Sequence, residues 1–159
     1  MTTTVTYPSE VVPGPPPIRL EMPDGWTHVW APETLIAIRD DAQGVDHFLA
    51  NVVVRYYQRM APFGGEEIHA ELQEYVDARR DGELSPLRSQ TVGDREWLGA
   101  ELAFVDDQAG TVGQAHWFTA QQTHDVLDVI QVTGSYAGSR RETDYAIIDR
   151  VVDSIRVNP

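Results

Sequence analysis

The stretch WLGAELAFVDDQAGTVGQAHWFTAQQTHDVLDVIQVT, residues 97–133, decides the fold. It divides into three extended runs, Trp97–Val105, Thr111–Ala120 and Val126–Thr133. β-Branched and aromatic residues recur through them, and Asp106–Gly110 supplies the turn between the first two. Runs joined this closely pair antiparallel, because a parallel pair needs a crossover of a dozen or more residues. Side chains alternate across a strand, so Trp117 and Phe118 must point to opposite faces of the sheet.

Working outward, Phe48–Gln58 is a long β-rich run (Val52, Val53, Val54, Tyr56, Tyr57) that is apolar on both faces and suits a central strand. Gly64-Gly65 opens a first helix, in which Ile68, Leu72, Tyr75 and Val76 gather on one stripe, and Gly82 stands where a C-terminal cap is expected. A second helix is expected from Ser139-Arg140-Arg141-Glu142, the S-x-x-E spacing of a capping box. Its apolar stripe is Ile147, Ile148, Val151, Val152 and Ile155. At the front, Ile18–Met22, Trp26–Trp30 and Leu35–Arg39 are short extended segments, with Pro23-Asp24-Gly25 as a turn and Asp40–Asp46 as a polar turn containing Gly44. The order of strands, helix, strands, helix predicts an α+β fold, with two one-sided helices covering an antiparallel sheet. Residues 18–159 are expected to form one domain. Residues 1–17, with Pro13, Pro15, Pro16 and Pro17, form an extended arm, read as a lead-in or surface strap and, more sharply, as a docking peptide.

Composition narrows the function. The chain has 159 residues, 42% hydrophobic, and carries 25 acidic residues against 12 basic ones for a net charge of -13. A chain of this length buries roughly 70% of its unfolded surface and needs no metal or disulfide staple. The negative field repels phosphate, which argues against nucleic acid and anionic membranes as partners. No run approaches the roughly 20 apolar residues of a membrane span. All basic residues are Arg, and there is no Cys. Thiolate nucleophiles, Cys-ligated zinc, Schiff bases and Walker-type phosphate loops are thereby removed. Residues 1–17 have neither the charged and apolar regions of a signal peptide nor a lipid-acceptor Cys, so a cytoplasmic location is expected.

The remaining chemistry is thin. Gly134-Ser135-Tyr136-Ala137-Gly138 has Tyr where a nucleophile elbow needs Ser, and reads as a flexible turn after a strand. Glu66-Glu67-Ile68-His69 contains one Glu-x-x-His spacing, whereas a di-iron site needs two. His28, His47, His116 and His124 add no ligand pattern, so no metal or cofactor is expected. The pairs Asp40/Asp41, Glu66/Glu67 and Asp106/Asp107 fall in turns or at a helix start, where solvated acids are ordinary. Gly110-Thr111-Val112-Gly113 is not a dinucleotide loop.

Two groups point to binding. Trp26, Trp30, Tyr56, Tyr57, Trp97, Trp117 and Phe118 include neighbours that must face opposite sides of the sheet. Core packing is the plainer reading; an open face would make them a pocket or partner site. The charge is also uneven, with -8 in residues 66–110. Glu67, Glu71, Glu74 and Asp77 lie off the first helix's apolar stripe, as a solvated face or as a docking surface for a basic partner.

The front, Pro15-Pro16-Pro17-Ile18-Arg19-Leu20-Glu21-Met22-Pro23-Asp24-Gly25-Trp26, resembles the start of the actinobacterial LpqN/LpqT lipoprotein family. There a strand ending in Pro-x-Gly-Trp precedes a short extended segment. The later order is similar: a Val-rich strand (Asn51–Arg55), a helix, paired strands, and a C-terminal helix ending in a Ser-Ile-x-Val-like strand (Ser154–Val157). The likeness covers most of residues 15–157. It implies a PsbP-like α/β/α sandwich, a central antiparallel sheet flanked by two main helices. Proteins of that fold mostly bind other proteins: photosystem subunits, a Ran-binding factor, effector-loading chaperones. The family offers no catalytic motif to carry over, and this chain lacks the lipoproteins' signal and acylated Cys.

The resulting expectation is a non-enzymatic protein-binding domain with an unknown protein partner: an adaptor, chaperone or secretion-associated factor. Trp26, Trp30, Tyr56, Tyr57, Trp117, Glu67, Glu71 and Glu74 are its candidate contact residues. A small-molecule binder or minor hydrolase using His116 or His124 in a cleft is the alternative. A homodimer through a free sheet edge or open face is a third reading.

Overall fold

In the computed structural model, which describes residues 1–43 and 48–159, the runs of residues 97–133 become the longest strands of the sheet. They are β7 (Arg95–Asp106), β8 (Gly110–Thr123) and β9 (Val126–Ala137), preceded by β1 (Ile18–Arg19), β2 (Trp26–Val29), β3 (Ile36–Asp40), β4 (Asn51–Met60), β5 (Arg80–Leu84) and β6 (Arg88–Val92), and followed by β10 (Arg156–Val157). The helices are α1 (Gly65–Asp77) and α2 (Arg141–Asp153). β2, β3, β4, β9, β8, β7 and β5 lie side by side, all antiparallel. β6 continues along the same side of β7 beyond β5. β1 and β10 form a separate two-stranded pair. The expected polar turn over Asp40–Asp46 lies outside the described residues from Gly44 onward, as does His47.

Strand alternation divides the core in two. Trp97, Trp117, Ile130, Val132 and Tyr136 pack with Val52, Val54 and the α2 residues Ile148, Val151 and Val152. The alternate positions Ala100, Leu102, Phe118 and Val129 pack with Ile68, Leu72 and Val76 of α1. Trp117 and Phe118, adjacent in β8, therefore belong to different clusters, as the pleat requires.

On the α2 side, large rings are seated on glycines. Gly99 lies opposite Trp117 and Gly113 opposite Tyr136. A Cβ at Gly99 would stand 2.4 Å from the Trp117 ring, and one at Gly113 would stand 2.3 Å from the Tyr136 ring. Tyr136 donates its hydroxyl proton to Glu101, which also accepts from Arg141 at 2.8 Å. The lock joins β9, β7 and α2. Burial raises the Glu101 carboxyl, but the Arg141 and Tyr136 hydrogen bonds outweigh it and the net direction is down.

Several local expectations are corrected. Gly82 is not a helix cap; α1 ends at Asp77 and Gly82 lies within β5, where a Cβ would meet the Val76 carbonyl oxygen at 2.2 Å. Ser139 does not cap α2, because residues Gly138–Arg140 form a separate 3-10 turn and Arg140 precedes the helix. Asp144, 1% exposed, pairs there with Arg140 at 3.1 Å. Gly134–Gly138 is mostly strand, since Gly134, Ser135, Tyr136 and Ala137 complete β9. At α1 the Glu67 carboxylate accepts from the Gly64 backbone N–H at 2.8 Å, satisfying one of the helix's orphan donors. No helix is long and apolar enough to cross a membrane among the described residues.

Candidate functional site

α1 covers only part of its face of the sheet. Beyond it the same face turns polar, through residues two apart on three adjoining strands. β4 contributes Asn51, Val53 and Arg55; β9 contributes Ser135, Thr133 and Gln131; β8 contributes Gln114, His116 and Phe118. The register aligns them as rows: Asn51–Ser135–Gln114, Val53–Thr133–His116 and Arg55–Gln131–Phe118. With Glu71, Leu72 and Tyr75 of α1 as one wall, they line a cleft of about 440 Å³.

One hydrogen-bond chain crosses its floor. The Tyr57 hydroxyl donates to Gln131 Oε1 at 3.3 Å, and Gln131 Nε2 donates to His116 Nδ1 at 3.2 Å. His116 Nε2 donates to Gln114 Oε1 at 2.8 Å, and Gln114 Nε2 donates to Ser135 Oγ at 3.2 Å. These contacts select the imidazole tautomer protonated on Nε2, since Gln131 Nε2 can only donate and Gln114 Oε1 can only accept. Every donor points the same way, so the bonds polarise one another and the chain ends at the Ser135 hydroxyl proton. No acceptor for that proton is found among the described residues.

His116 is 5% exposed, edge-on to Tyr75 and stacked against Phe118. Burial, with Arg55 and Arg79 adding repulsion, lowers its pKa to about 4. Thr133 Oγ1 lies 3.4 Å from Nδ1, which Gln131 already occupies. A neutral imidazole with both nitrogens engaged and so low a pKa is a poor base at pH 7. It orients the floor. His124 sits in the turn between β8 and β9, eight residues further along, about 26 Å at strand rise, and is exposed.

The cleft's charges are two. Glu71 is paired with Arg59. Arg55, half-buried, has no ion pair or hydrogen bond among the described residues. Arg39, Arg80, Arg140 and Arg141, by contrast, each hold a carboxylate.

The residues singled out in the sequence do not assemble into one site. Trp26 is 7% exposed and Trp117 is 1% exposed; both are core, so Trp117 offers no surface to a partner. Tyr56 packs against the α2-side cluster and donates to Asp128 at 2.7 Å, and Tyr57 packs on the α1 side. Glu67 serves the helix start and Glu71 pairs with Arg59, leaving Glu74 exposed on the outer face. Trp30 alone of these aromatics stands in solvent, 87% exposed. It follows β2, the last strand on one side of the sheet, and borders a hollow of about 330 Å³ with His28 and Leu35. Thr34 Oγ1 donates to the Ala31 carbonyl at 2.9 Å, and Leu35 N–H donates to the Val54 carbonyl at 2.8 Å, closing the loop behind it.

The paired acids have structural employment. Asp41 is held below its usual range by Thr27 and Arg39, Glu67 by the backbone at Gly64, and Asp106 by the N–H groups of Ala109 and Gln108. A general acid needs the opposite shift. Among the described residues no three His, Asp or Glu converge as metal ligands.

No family model and no curated protein matches the sequence. Solved structures do match. LpqN of Mycobacterium tuberculosis, described as involved in cell envelope biogenesis, superposes with a TM-score of 0.73 over 94% of this chain and 88% of its own, at 13% identity. The cyanobacterial PsbP protein CyanoP of Synechocystis superposes with a TM-score of 0.55 over 91% and 95%, at 16% identity. The Ran-binding protein Mog1p of Saccharomyces cerevisiae gives 0.53 over 89% and 90%, at 14% identity. The fold is LpqN-like and PsbP-like, as the front motif implied.

Proposed function

We propose that this chain is a non-enzymatic protein-binding domain, residues 18–159 forming one PsbP-like sandwich that engages its partner at the β2 edge beside Trp30. The exposure of Trp30 carries the reading: Trp26, Trp97 and Trp117 are 7%, 1% and 1% exposed, while Trp30 is 87% exposed. A Trp held in water on a closed loop forgoes a large burial free energy, and Trp is the residue most enriched at binding hot spots. Among the described residues β2 pairs only with β3, so its outer edge is suited to an extended segment of another chain that adds a strand. The net charge of -13 favours a neutral or basic partner. Mog1p, a Ran-binding protein, is in keeping with a fold used for protein recognition. Whether the role is that of an adaptor, a chaperone or a secretion-associated factor depends on the partner.

The test is capture from native lysate with the wild type, Trp30→Ala and Glu74→Ala. A stoichiometric partner retained by wild type and Glu74→Ala but lost by Trp30→Ala, at unchanged melting temperature, supports the reading. Equal retention by Trp30→Ala overturns it. Light scattering identifies a second copy of this chain as the occupant if the mass doubles and Trp30→Ala restores the monomer.

A further inference from the structure

We infer that the cleft between α1 and the polar half of the sheet is a binding site for a small polyhydroxylated carboxylate of the sugar-acid class. This goes beyond the protein-binding reading and is independent of it, since the cleft is on the α1 face and involves neither β2 nor Trp30.

The charge argument comes first. Of the twelve arginines, five are paired with a carboxylate and four more donate to a carbonyl, hydroxyl or amide oxygen; among the described residues Arg19 and Arg150, which have neither, are exposed. Arg55 also has neither among the described residues, although it is half-buried and lines the cleft. A partly desolvated guanidinium without a counter-charge is costly, and a bidentate carboxylate is its best geometric complement. The field of the whole protein repels anions, so the preference is local to this cleft.

The floor supplies the rest of the recognition. The hydrogen-bond chain ends in the free Ser135 proton, and Asn51, Gln114 and Gln131 add amide groups that donate and accept. Uncharged groups of both kinds match hydroxyls, which also do both. Phe118 and Leu72 give apolar surface for the C–H faces of a ring, and 440 Å³ is within the usual range of small-ligand clefts. Glu71, although offset by Arg59, faces the same space and disfavours a second negative group. The site thus selects a monoanion.

The test is titration of the ¹⁵N-labelled full chain with glucuronate, galacturonate and gluconate, and with glucose and sulfate as controls. Saturable shifts at Gln114, Gln131 and Ser135 by at least one of the acids are expected. Glucose and sulfate should each bind at least about tenfold more weakly, the value of one charge-assisted hydrogen bond or more. Arg55→Gln should lose at least about tenfold, and Ser135→Ala should lose less. Should Arg55→Gln fold poorly, Arg55→Lys keeps the charge without the fork, and an intermediate loss is expected. Absence of saturable shifts with all three acids overturns the assignment. So do equal affinities for glucuronate and glucose, or for glucuronate and sulfate.

Discussion

Acidification should unfold this protein in part through one residue, His116. Its pKa falls from an ordinary 6.5 to about 4 in the folded chain. Between those values the unfolded chain takes up a proton that the folded chain refuses. Stability from this group is therefore fully present above pH 6.5 and is lost as the pH falls toward 4. Moving from pH 7 to pH 5 costs about 2 kcal/mol through His116 alone. Carboxylates held below their usual values, such as Glu101, weaken the fold at still lower pH and complicate a single curve. The remedy is a difference. Urea unfolding of the wild type and of His116→Gln at both pH values gives two stability gaps in which shared titrations cancel. Gln retains groups able to bond Gln114 and Gln131, but it does not titrate. The wild type should lose about 2 kcal/mol more than the variant between pH 7 and pH 5. Equal losses would refute the claim that His116 is buried as the neutral imidazole.

Three further perturbations probe the packing. Gly99→Ala places a Cβ 2.4 Å from the His116 carbonyl oxygen and from the Trp117 ring, and should cost at least about 2 kcal/mol in chemical unfolding. Trp117→Ala should cost about 3–5 kcal/mol, whereas Trp30→Ala should stay within about 0.5 kcal/mol; a similar loss from both would contradict their burial. Glu101→Gln keeps the shape but weakens the bonds to Tyr136 and Arg141, and a loss of about 1–2 kcal/mol is expected in a thermal melt.

The central strands were legible because β7, β8 and β9 carry their own pattern, aromatic and β-branched residues over long runs. β5 and β6 were not, because RDGEL and RSQTV are polar edge segments whose strand character comes from pairing with β7. Gly134 and Gly138 suggested a turn, yet their neighbours explain them otherwise. A Cβ at Gly134 would strike Ile148 of α2 at 2.3 Å, so that glycine makes room for the helix. The cleft does leave a signal in the sequence: Gln114 and His116, then Gln131, Thr133 and Ser135, put polar groups at every second position between buried neighbours. Alternation of that kind shows that one face is polar. It does not give the register that sets Arg55 opposite Gln131, because pairing between β4 and β9 joins residues far apart in the chain.

The pairing of Ile18 with Val157 and of Arg19 with Arg156 has a mechanical consequence. Continuing outward from the Ile18–Val157 pair, residues 17 and 158 leave the strands side by side, and the Asn158 N–H donates to the Pro17 carbonyl at 2.8 Å. Tension applied through the two ends loads this clasp as a zipper, one bond after another, and never as a shear across many bonds at once. The ends would part at low force while the long strands of the sheet carried little load. Because residues 17 and 158 lie side by side, a linker of a few residues could join them in place of the arm before residue 17, and the chain could be reopened in an exposed turn such as Asp106–Gly110.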